Sequence, residues 1–325
     1  MKAAVYSRYG PPDVVQIREV EKPVPKDNEI LIKVRAAALN PLDLTMKGRP
    51  YILRMTSGLR KPRDPRLGVD VAGEVEAVGG NVTRFKPGDD VFGSCRGAFA
   101  EYACTLESRL VMKPENLTFE QAASIPVAAI TALQGLRDKG HIAPGQKILI
   151  HGAAGGVGTF AVQIAKAFGA EVTGVCSTRN VEMLRSIGAD QVIDYTQKDF
   201  TRSGQRYDLI LDLAGNHSLL ACRRAVNTKG TYVAAGVLGI PHRKKLRSFL
   251  ARAIAAPVLS RLVSQNFVAF IAKLKAEDLS TVHDLTKAGQ VTPVIDRCYR
   301  LSEVPEALRY LEEGHARGKV VIAFE

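Results

Sequence analysis

The run HGAAGGVG at residues 151–158 constrains the fold of this chain more than any other feature of its sequence. It lies between an apolar run, KILI at 147–150, and a helical pattern, TFAVQIAKAFGA at 159–170. A glycine-rich turn between a strand and a helix leaves the first N–H groups of the helix free for an anion such as a phosphate. The form AxGxxG, with strand–helix units after it, indicates a bound dinucleotide pyrophosphate. The alternative is a tight strand–helix turn without a ligand.

Strand and helix patterns alternate around this turn. In chain order they are KILIHG, a helix at 158–168, EVTGVCS, a helix at 180–187, DQVIDY, DLILDLA, a helix at 217–226 and TYVAAG. Such a series predicts an α/β fold with a parallel sheet covered by helices. Residues before about 119 alternate apolar and polar side chains between turns, which predicts a closed or partly closed β sheet. A helix is expected over 119–140, and the tail returns to strand, helix and strand.

The end of the second predicted strand distinguishes two nicotinamide cofactors. An NAD-binding fold places Asp or Glu there, about 20 residues after the glycines, on the ribose 2′-hydroxyl. This chain has Cys176-Ser177-Thr178-Arg179-Asn180 and no acid. Ser177 can donate to a phosphate and Arg179 can pair with it, which favours NADPH over NADH. The alternative is that Arg179 is a surface residue at the start of a helix.

The composition is that of an ordinary globular protein of one or two domains, with 325 residues and 46% hydrophobic side chains. No apolar span reaches the 18 or so residues of a transmembrane helix, and the N-terminal stretch lacks the apolar core of a signal peptide. The five cysteines are scattered and form no CxxC pair. This favours a reducing, cytoplasmic location over a disulfide framework.

The net charge of +12 is unevenly distributed. Residues 213–276 contain eleven Lys or Arg and no Asp or Glu. We interpret this as solvated surface together with a pocket for an anionic ligand. Nucleic-acid binding is disfavoured, because Trp is absent and no recognised nucleic-acid module is present.

Several motifs along the chain resemble the medium-chain dehydrogenase/reductases, in their zinc-free quinone oxidoreductase and enoyl reductase-like branch. They are AALNPLD (37–43), GVDVAGEVEAVGGNVTRFKPGDDVFG (68–93), AASIPVAAITAL (122–133), HGAAGGVG, GADQVIDY (188–195) and ARGKVVI (316–322). The resemblance implies a GroES-like domain at 1–122 and 273–325, and a Rossmann domain at 123–272. The cleft between them would hold the nicotinamide and the substrate.

The resemblance also bears on metal binding. Zinc alcohol dehydrogenases place Cys, His and Cys at positions that match Asn40, Val69 and Val127 here. These side chains cannot build a zinc site, which needs thiolate, imidazole or carboxylate ligands. A cysteine-rich zinc lobe is missing as well, so we predict no metal.

Reduction of an activated C=C bond needs no zinc. Hydride from NADPH adds to the β-carbon of an enone, and hydrogen-bond donors stabilise the charge on the carbonyl oxygen. The resemblance suggests Asn40 as the residue near the nicotinamide and the substrate carbonyl, although Asn40 could instead cap the turn before Pro41. Tyr51 is the candidate proton donor, one residue further from Gly48 than in related enoyl reductases. Asp43 is interpreted as structural.

For the cofactor, the resemblance suggests residues along the whole dinucleotide. They are Thr131 beside the nicotinamide, Ala154, Gly155, Gly156 and Val157 at the pyrophosphate, Ser177, Arg179 and Tyr195 around the adenosine phosphate, and Ala214, Gly236 and Val237 at later strand ends. Lys319 either reaches the cofactor or is a surface lysine at the start of a strand.

The basic apolar segment 242–275 is longer than the connection typical of the family. Leu246, Phe249, Leu250, Ala253 and Ile254 fall at helical spacing, and Pro257 is expected to end or kink the helix. One interpretation is peripheral contact with an anionic membrane. The other, which we favour, is a helix over the substrate cleft or at a homodimer interface, with FVAFIA (267–272) as the edge strand of the dimer.

Two functions follow from these observations. The first is an NADPH-dependent, zinc-independent reductase of quinones or of α,β-unsaturated ketones and aldehydes. The second is an NADPH-binding protein of low turnover that acts through a membrane or RNA partner.

Overall fold

A computed structural model describes residues 1–47, 61–235 and 243–324, with the backbone alone at 45–47 and 243–250. Its strands form two large sheets and one small one. None of the helices in these ranges combines the length and the apolar character needed to cross a membrane.

The sheet that contains the glycine-rich turn has six strands in the order β10-β9-β8-β11-β12-β13, and every neighbouring pair is parallel. Its strands are β8 (Lys147–His151), β9 (Glu171–Cys176), β10 (Gln191–Asp194), β11 (Tyr207–Asp212), β12 (Val226–Ala235) and β13 (Asn266–Phe270). The run Ile148-Leu149-Ile150 is fully buried, as expected for a strand covered by helices on both faces. The predicted α/β fold with a parallel sheet is therefore confirmed.

The second large sheet has seven strands, and β3 lies at its centre. The strands are β3 (Glu29–Ala38), β4 (Asp70–Val78), β5 (Asp90–Ser94), β6 (Tyr102–Leu106), β7 (Leu110–Met112), β14 (Ile295–Arg300) and β15 (Lys319–Ala323). Strands β1 (Lys2–Tyr6) and β2 (Val15–Glu19) form an antiparallel pair beside it. The two C-terminal strands thus join the sheet built by the first third of the chain.

The helices surround these sheets. They are α1 (Phe119–Ala123), α2 (Pro126–Leu133), α3 (Gly156–Ala167), α4 (Val181–Ser186), α5 (Leu219–Arg224), α6 (Arg243–Leu262), α7 (Ala276–Lys287) and α8 (Val304–Glu313). The single helix expected over 119–140 is instead interrupted before Pro126 and continues after α2 as a π-helical segment, Gln134–Lys139. Pro126 has no N–H to donate and is placed at the first turn of α2, where none is needed.

Pro257 was expected to end or kink the helix. It does not end it, because α6 continues to Leu262, and a kink stays a prediction. Pro257 lies on the exposed face of α6, where water can satisfy the carbonyl that loses its partner. The opposite face packs on the sheet through buried Ala256, with Leu259 and Val263 partly buried beside it. This packing stabilises the helix on both sides of the proline.

The two large sheets are joined at the glycine-rich turn. Gly155 forms a parallel bridge with Gly318, and the Gly318 N–H donates to the Ala154 carbonyl at 2.9 Å. The start of β15 therefore lies directly beside the N-terminus of α3. The domain boundaries at 122/123 and 272/273 stay a prediction; the first falls inside α1, and the second falls between β13 and β14.

Candidate functional site

A cleft of about 640 Å³ opens at the carboxyl ends of the parallel strands. The predicted site residues within the described ranges all line it: Asn40, Thr131, Ala154, Gly155, Gly156, Val157, Ser177, Arg179, Tyr195, Ala214 and Lys319. Tyr51, Gly236 and Val237 lie outside the described residues. The structure thus brings the candidates together at one site, while the role of each stays a prediction.

The glycine-rich turn forms one wall of this cleft. Helix α3 begins at Gly156, and its N-cap, Gly155, provides no side-chain hydrogen bond to the first turn. A Cβ at Gly158 would collide with the Gly152 carbonyl, so the turn can close this tightly only with glycine there. The bare helix N-terminus and the close backbone fit the phosphates of a dinucleotide.

The end of β9 forms the part of the cleft expected to hold the adenosine. Ser177 is half-buried and accepts a hydrogen bond from Asn180 Nδ2 at 3.1 Å. Arg179 is exposed, and its guanidinium donates to the His315 carbonyl at 2.8 Å. The buried Oδ1 of Asn180 has no hydrogen-bond partner among the described residues. A hydroxyl, a cation and an unpaired acceptor therefore surround the predicted position of the ribose.

A buried polar cluster lies on the other side of the glycine-rich turn. The Lys319 ammonium donates to Asn40 Oδ1 at 2.8 Å and to Asp70 Oδ2 at 3.3 Å. The aliphatic stem of Lys319 passes Gly156, because a Cβ there would lie 3.0 Å from Lys319 Cδ. Lys319 is only 3% exposed, so it is not a surface lysine. It connects the glycine-rich turn with Asn40.

The amide of Asn40 is already engaged by the protein. Its Nδ2 donates to Asp70 Oδ2 at 2.9 Å and to the Ala38 carbonyl at 3.4 Å, while its Oδ1 accepts from Lys319. An amide nitrogen has two N–H donors, so none remains for a substrate in this arrangement. An ammonium has three donors, and Lys319 has two acceptors among the described residues. Lys319 is therefore the better hydrogen-bond donor for a ligand.

Two buried carboxyl groups support this cluster. Asp43 accepts the Asn40 backbone N–H at 2.7 Å, and burial raises the pKa of Asp43 from an ordinary 3.8 to about 7. Burial also raises the pKa of Asp70, while the Lys319 ammonium and the Asn40 amide oppose the rise. Asp70 further accepts the Val127 N–H at 3.1 Å. The interpretation of Asp43 as a structural residue fits these contacts.

The structure shows a second charged cluster that sequence reasoning missed. His151, the last residue of β8, and Asp212, the last residue of β11, are register partners, with Nδ1 and Oδ1 2.9 Å apart. Tyr232 and Arg252 donate to the other oxygen of Asp212 at 2.5 and 2.7 Å. Burial alone would raise the pKa of Asp212, but the bonds from His151, Tyr232 and Gly215 bring it below its ordinary value.

One sequence signal could have located this cluster. The motifs HGAAGGVG and DLILDLA each place a polar residue at the end of a predicted strand, and such ends converge in a parallel sheet. Arg252 could not be found this way, because helical spacing placed it away from the apolar face of its segment. In the structure Arg252 is buried and Ile254, predicted on the apolar face, is 74% exposed.

Metal ligands are a separate question. Within the described ranges, no group of three or more His, Cys, Asp or Glu side chains lies close enough to hold a metal ion. Of the positions matched to zinc ligands, Asn40 is bonded to Lys319 and Asp70, and Val127 contributes a backbone N–H to Asp70. The absence of a catalytic zinc stays a prediction.

Comparison with known proteins identifies the family. The model of the alcohol dehydrogenase GroES-like domain matches residues 26–115, and that of zinc-binding dehydrogenases matches residues 187–322. The mitochondrial NAD(P)H oxidoreductase RTN4IP1 of Mus musculus is 34% identical over 99% of this chain and 89% of its own length. The chain belongs to the medium-chain dehydrogenase/reductases, in their quinone oxidoreductase-like branch.

Two further relatives of this medium-chain reductase resemble it over nearly its whole length. The chloroplastic NADPH-dependent alkenal/one oxidoreductase of Arabidopsis thaliana is 35% identical over 99% of this chain and 79% of its own. The structure of the quinone oxidoreductase from Coxiella burnetii has 30% identity and a TM-score of 0.85, covering 100% of this chain and 99% of that one. The protein is thus an oxidoreductase that uses a nicotinamide cofactor, with a GroES-like and a Rossmann-like domain.

Proposed function

We propose that this protein reduces quinones, or the C=C bond of α,β-unsaturated ketones and aldehydes, with NADPH and without zinc. The observation that carries the proposal is the position of Lys319, whose stem passes the phosphate-binding turn and whose ammonium lies 2.8 Å from Asn40 Oδ1. A buried cation therefore lies where the cofactor site meets the predicted substrate site.

The described residues fit NADPH. The N-terminus of α3 and Ala154 to Val157 would hold the pyrophosphate, and Ser177 and Arg179 would hold the 2′-phosphate. Within 176–180 no carboxylate is present to repel that phosphate. The bound cofactor supplies a hydride to the acceptor.

Lys319 and Asn40 have different roles in this proposal. When an enone or a quinone accepts a hydride, negative charge develops on its oxygen. The remaining N–H of Lys319 stabilises that charge, in a buried setting where such a bond is stronger than in water. Asn40 and Asp70 hold the ammonium in position and are positioning residues. A proton from Tyr51 or from water then completes the reduction.

The names of the relatives support this choice of acceptors. The Arabidopsis protein is an alkenal/one oxidoreductase that depends on NADPH, and the Coxiella protein is a quinone oxidoreductase. Both acceptor classes contain a carbonyl conjugated to a C=C bond. The same cationic donor can serve both, because the charge forms on a carbonyl oxygen in each case.

The test is NADPH oxidation against a panel of quinones, 2-alkenals and vinyl ketones, with NADH compared on the best acceptor. We expect turnover with NADPH, and a kcat lower by a factor of about 10²–10³ in Lys319→Met, as for loss of one donor to a developing oxyanion. Asn40→Ala should also lose activity, because Lys319 loses one of its two acceptors. Lys166→Met, which breaks an ion pair with Asp190 on the surface, is the matched control.

Two results would contradict the proposal. Full activity in Lys319→Met would remove this residue from the reaction. NADPH binding without reduction of any acceptor in the panel would favour the alternative of a low-turnover NADPH-binding protein with a membrane or RNA partner.

A further inference from the structure

We propose that Arg252, on the helix α6 that departs from the family pattern, is a positioning residue for the dinucleotide. It fixes the loop 213–217, which follows β11 and forms part of the cleft wall. The inference rests on the proposed function only in taking the cleft ligand to be a nicotinamide dinucleotide. The inference gives α6 a role in the cofactor site. From the sequence, the segment 242–275 was interpreted as a cover for the substrate cleft, a dimer contact or a membrane contact.

Asp212 is the centre of this arrangement. Its Oδ1 accepts the N–H groups of Ala214 at 3.1 Å and Gly215 at 2.8 Å, and contacts His151 Nδ1 at 2.9 Å. Its Oδ2 accepts from Tyr232 and Arg252. The orientation of one carboxylate therefore sets the path of the loop that begins one residue later.

Arg252 holds the loop at both ends. Its Nη1 donates to Asp212 Oδ2 at 2.7 Å, at the start of the loop, and its Nη2 donates to the His217 carbonyl at the other end. The planar guanidinium can make both bonds at once, which a lysine ammonium on a flexible stem does less well. Gly215 lies between these two contacts with a φ of +68°, a conformation that favours glycine.

Arg252 also supplies charge. Asp212 is 2% exposed and Arg252 is 7% exposed, so both charges lie in a medium of low dielectric. Removal of Arg252 would leave the buried Asp212 carboxylate with its hydrogen bonds but without its arginine cation, and loss of one partner from a buried ion pair is destabilising. We expect the loop to change its path when Arg252 is lost, because that movement lets water reach the carboxylate.

A change in the path of this loop would affect the cofactor because the loop lies at the predicted cofactor site. Asp212 and His151 end the two neighbouring strands β11 and β8, from which the chain proceeds towards opposite edges of the sheet. This is the switch point at which open parallel sheets bind their ligands. Leu213, Ala214, Gly215 and Asn216 line the cleft together with Gly152 and Ala154 of the glycine-rich turn.

The experiment compares Arg252→Met with Arg252→Lys and with a matched control. The control is Arg137→Met, which breaks another arginine bond to a buried carboxylate, Asp278, at 2.5 Å. Asp278 does not line the cleft. NADPH binding is measured directly by the fluorescence of the cofactor, so the result does not depend on turnover. Thermal unfolding without cofactor reports the purely structural part of each substitution.

Arg252 itself lines the cleft. We expect the Kd for NADPH to rise about tenfold or more in Arg252→Met, within the usual range of coupling free energies. Arg252→Lys should give a smaller rise, because it keeps the charge and loses the double contact. In an active enzyme the KM for NADPH should rise more than the KM for the acceptor. Arg137→Met should lower the melting temperature and leave the Kd unchanged.

Three outcomes would overturn the proposal. The first is an unchanged Kd in Arg252→Met, with only the melting temperature lowered as in the control. The second is an equal rise of the Kd in Arg137→Met, which would mark a general loss of stability. The third is a rise confined to the acceptor KM, which would place Arg252 in the acceptor site. Absence of turnover with normal NADPH binding would contradict the proposed function and leave this inference intact.

Discussion

Asp43 makes the stability of the folded protein depend on pH. Its carboxyl is buried beside Asn40, and its pKa is raised to about 7, so the folded protein holds a proton there that the unfolded chain releases near pH 4. The stabilisation by this proton is complete below the unfolded pKa and is lost as pH rises through the folded one. The unfolding free energy of the wild type should therefore fall between pH 4 and 8. We predict that this fall is smaller in Asp43→Asn by about 1–4 kcal/mol, because the variant has no carboxyl to ionise.

Chemical denaturation at a series of pH values measures this effect. The control is Asp27→Asn, since Asp27 is an exposed aspartate outside the cleft. Wild-type protein and Asp43→Asn should differ most at the alkaline end of the series, where the wild type must bury a charge. Parallel curves for the two proteins would show that Asp43 does not carry the raised pKa.

Some residues of the site could be predicted from the sequence, and others could not. The composition of the cleft could be predicted for Ser177, Arg179 and the glycines, because each follows a strand within a local pattern. The contact of Lys319 with Asn40 joins residues 279 positions apart, and no local pattern contains it. The sequence therefore suggested Asn40 as the donor, while the structure shows an amide whose donors are both used.

At the scale of elements, the turn between β8 and α3 is the most tightly specified part of the site. A Cβ at Gly158 would collide with the Gly152 carbonyl, whereas one at Gly155 would lie 3.6 Å from it, at ordinary contact distance. We predict that Gly158→Ala weakens NADPH binding about tenfold or more, since overpacking of a rigid site costs about 1–3 kcal/mol. Gly158→Ala should also lower the melting temperature without cofactor, whereas Gly155→Ala, whose Cβ meets the protein only at ordinary contact distance, should leave it nearly unchanged.

Fluorescence titration with NADPH and thermal unfolding of both variants check this prediction. The pair is matched, because each substitution adds one methyl group to the same turn. Equal losses of melting temperature without cofactor in the two variants would mean that any added methyl group, rather than the collision at Gly158, disturbs this turn.

The elements themselves were largely predictable, and the errors have physical causes. The alternation of buried strands and helices from 147 onward follows from hydrophobic periodicity, and the parallel sheet follows from the alternation. Periodicity could not show that Pro126 starts a new helix or that α6 continues past Pro257, because tertiary packing decides both. It also could not show that Arg252 faces inward, since the partner that makes this favourable, Asp212, is 40 residues away.

At the scale of the whole molecule, one edge of the parallel sheet adjoins an apolar surface. Among the described strands, β13 is the last on its side of the sheet. On α6, which packs against β13, Ile254, Val258 and Leu262 recur every fourth residue and are 74%, 57% and 77% exposed. An exposed apolar stripe beside an edge strand is a surface that a second copy of the chain would cover. The predicted homodimer therefore has a specific place to form.

We predict that the protein is a homodimer in solution and that the double substitution Ile254→Asp with Val258→Asp makes it monomeric, because each dimer would bury four unpaired charges. Light scattering coupled to size exclusion measures the mass of both proteins. Val24→Asp is the control, since Val24 is 83% exposed and far from β13 in the chain. A wild-type monomer would contradict the dimer. If that monomer bound vesicles of anionic lipid and the double variant did not, the stripe and the basic residues around it would form a membrane contact instead.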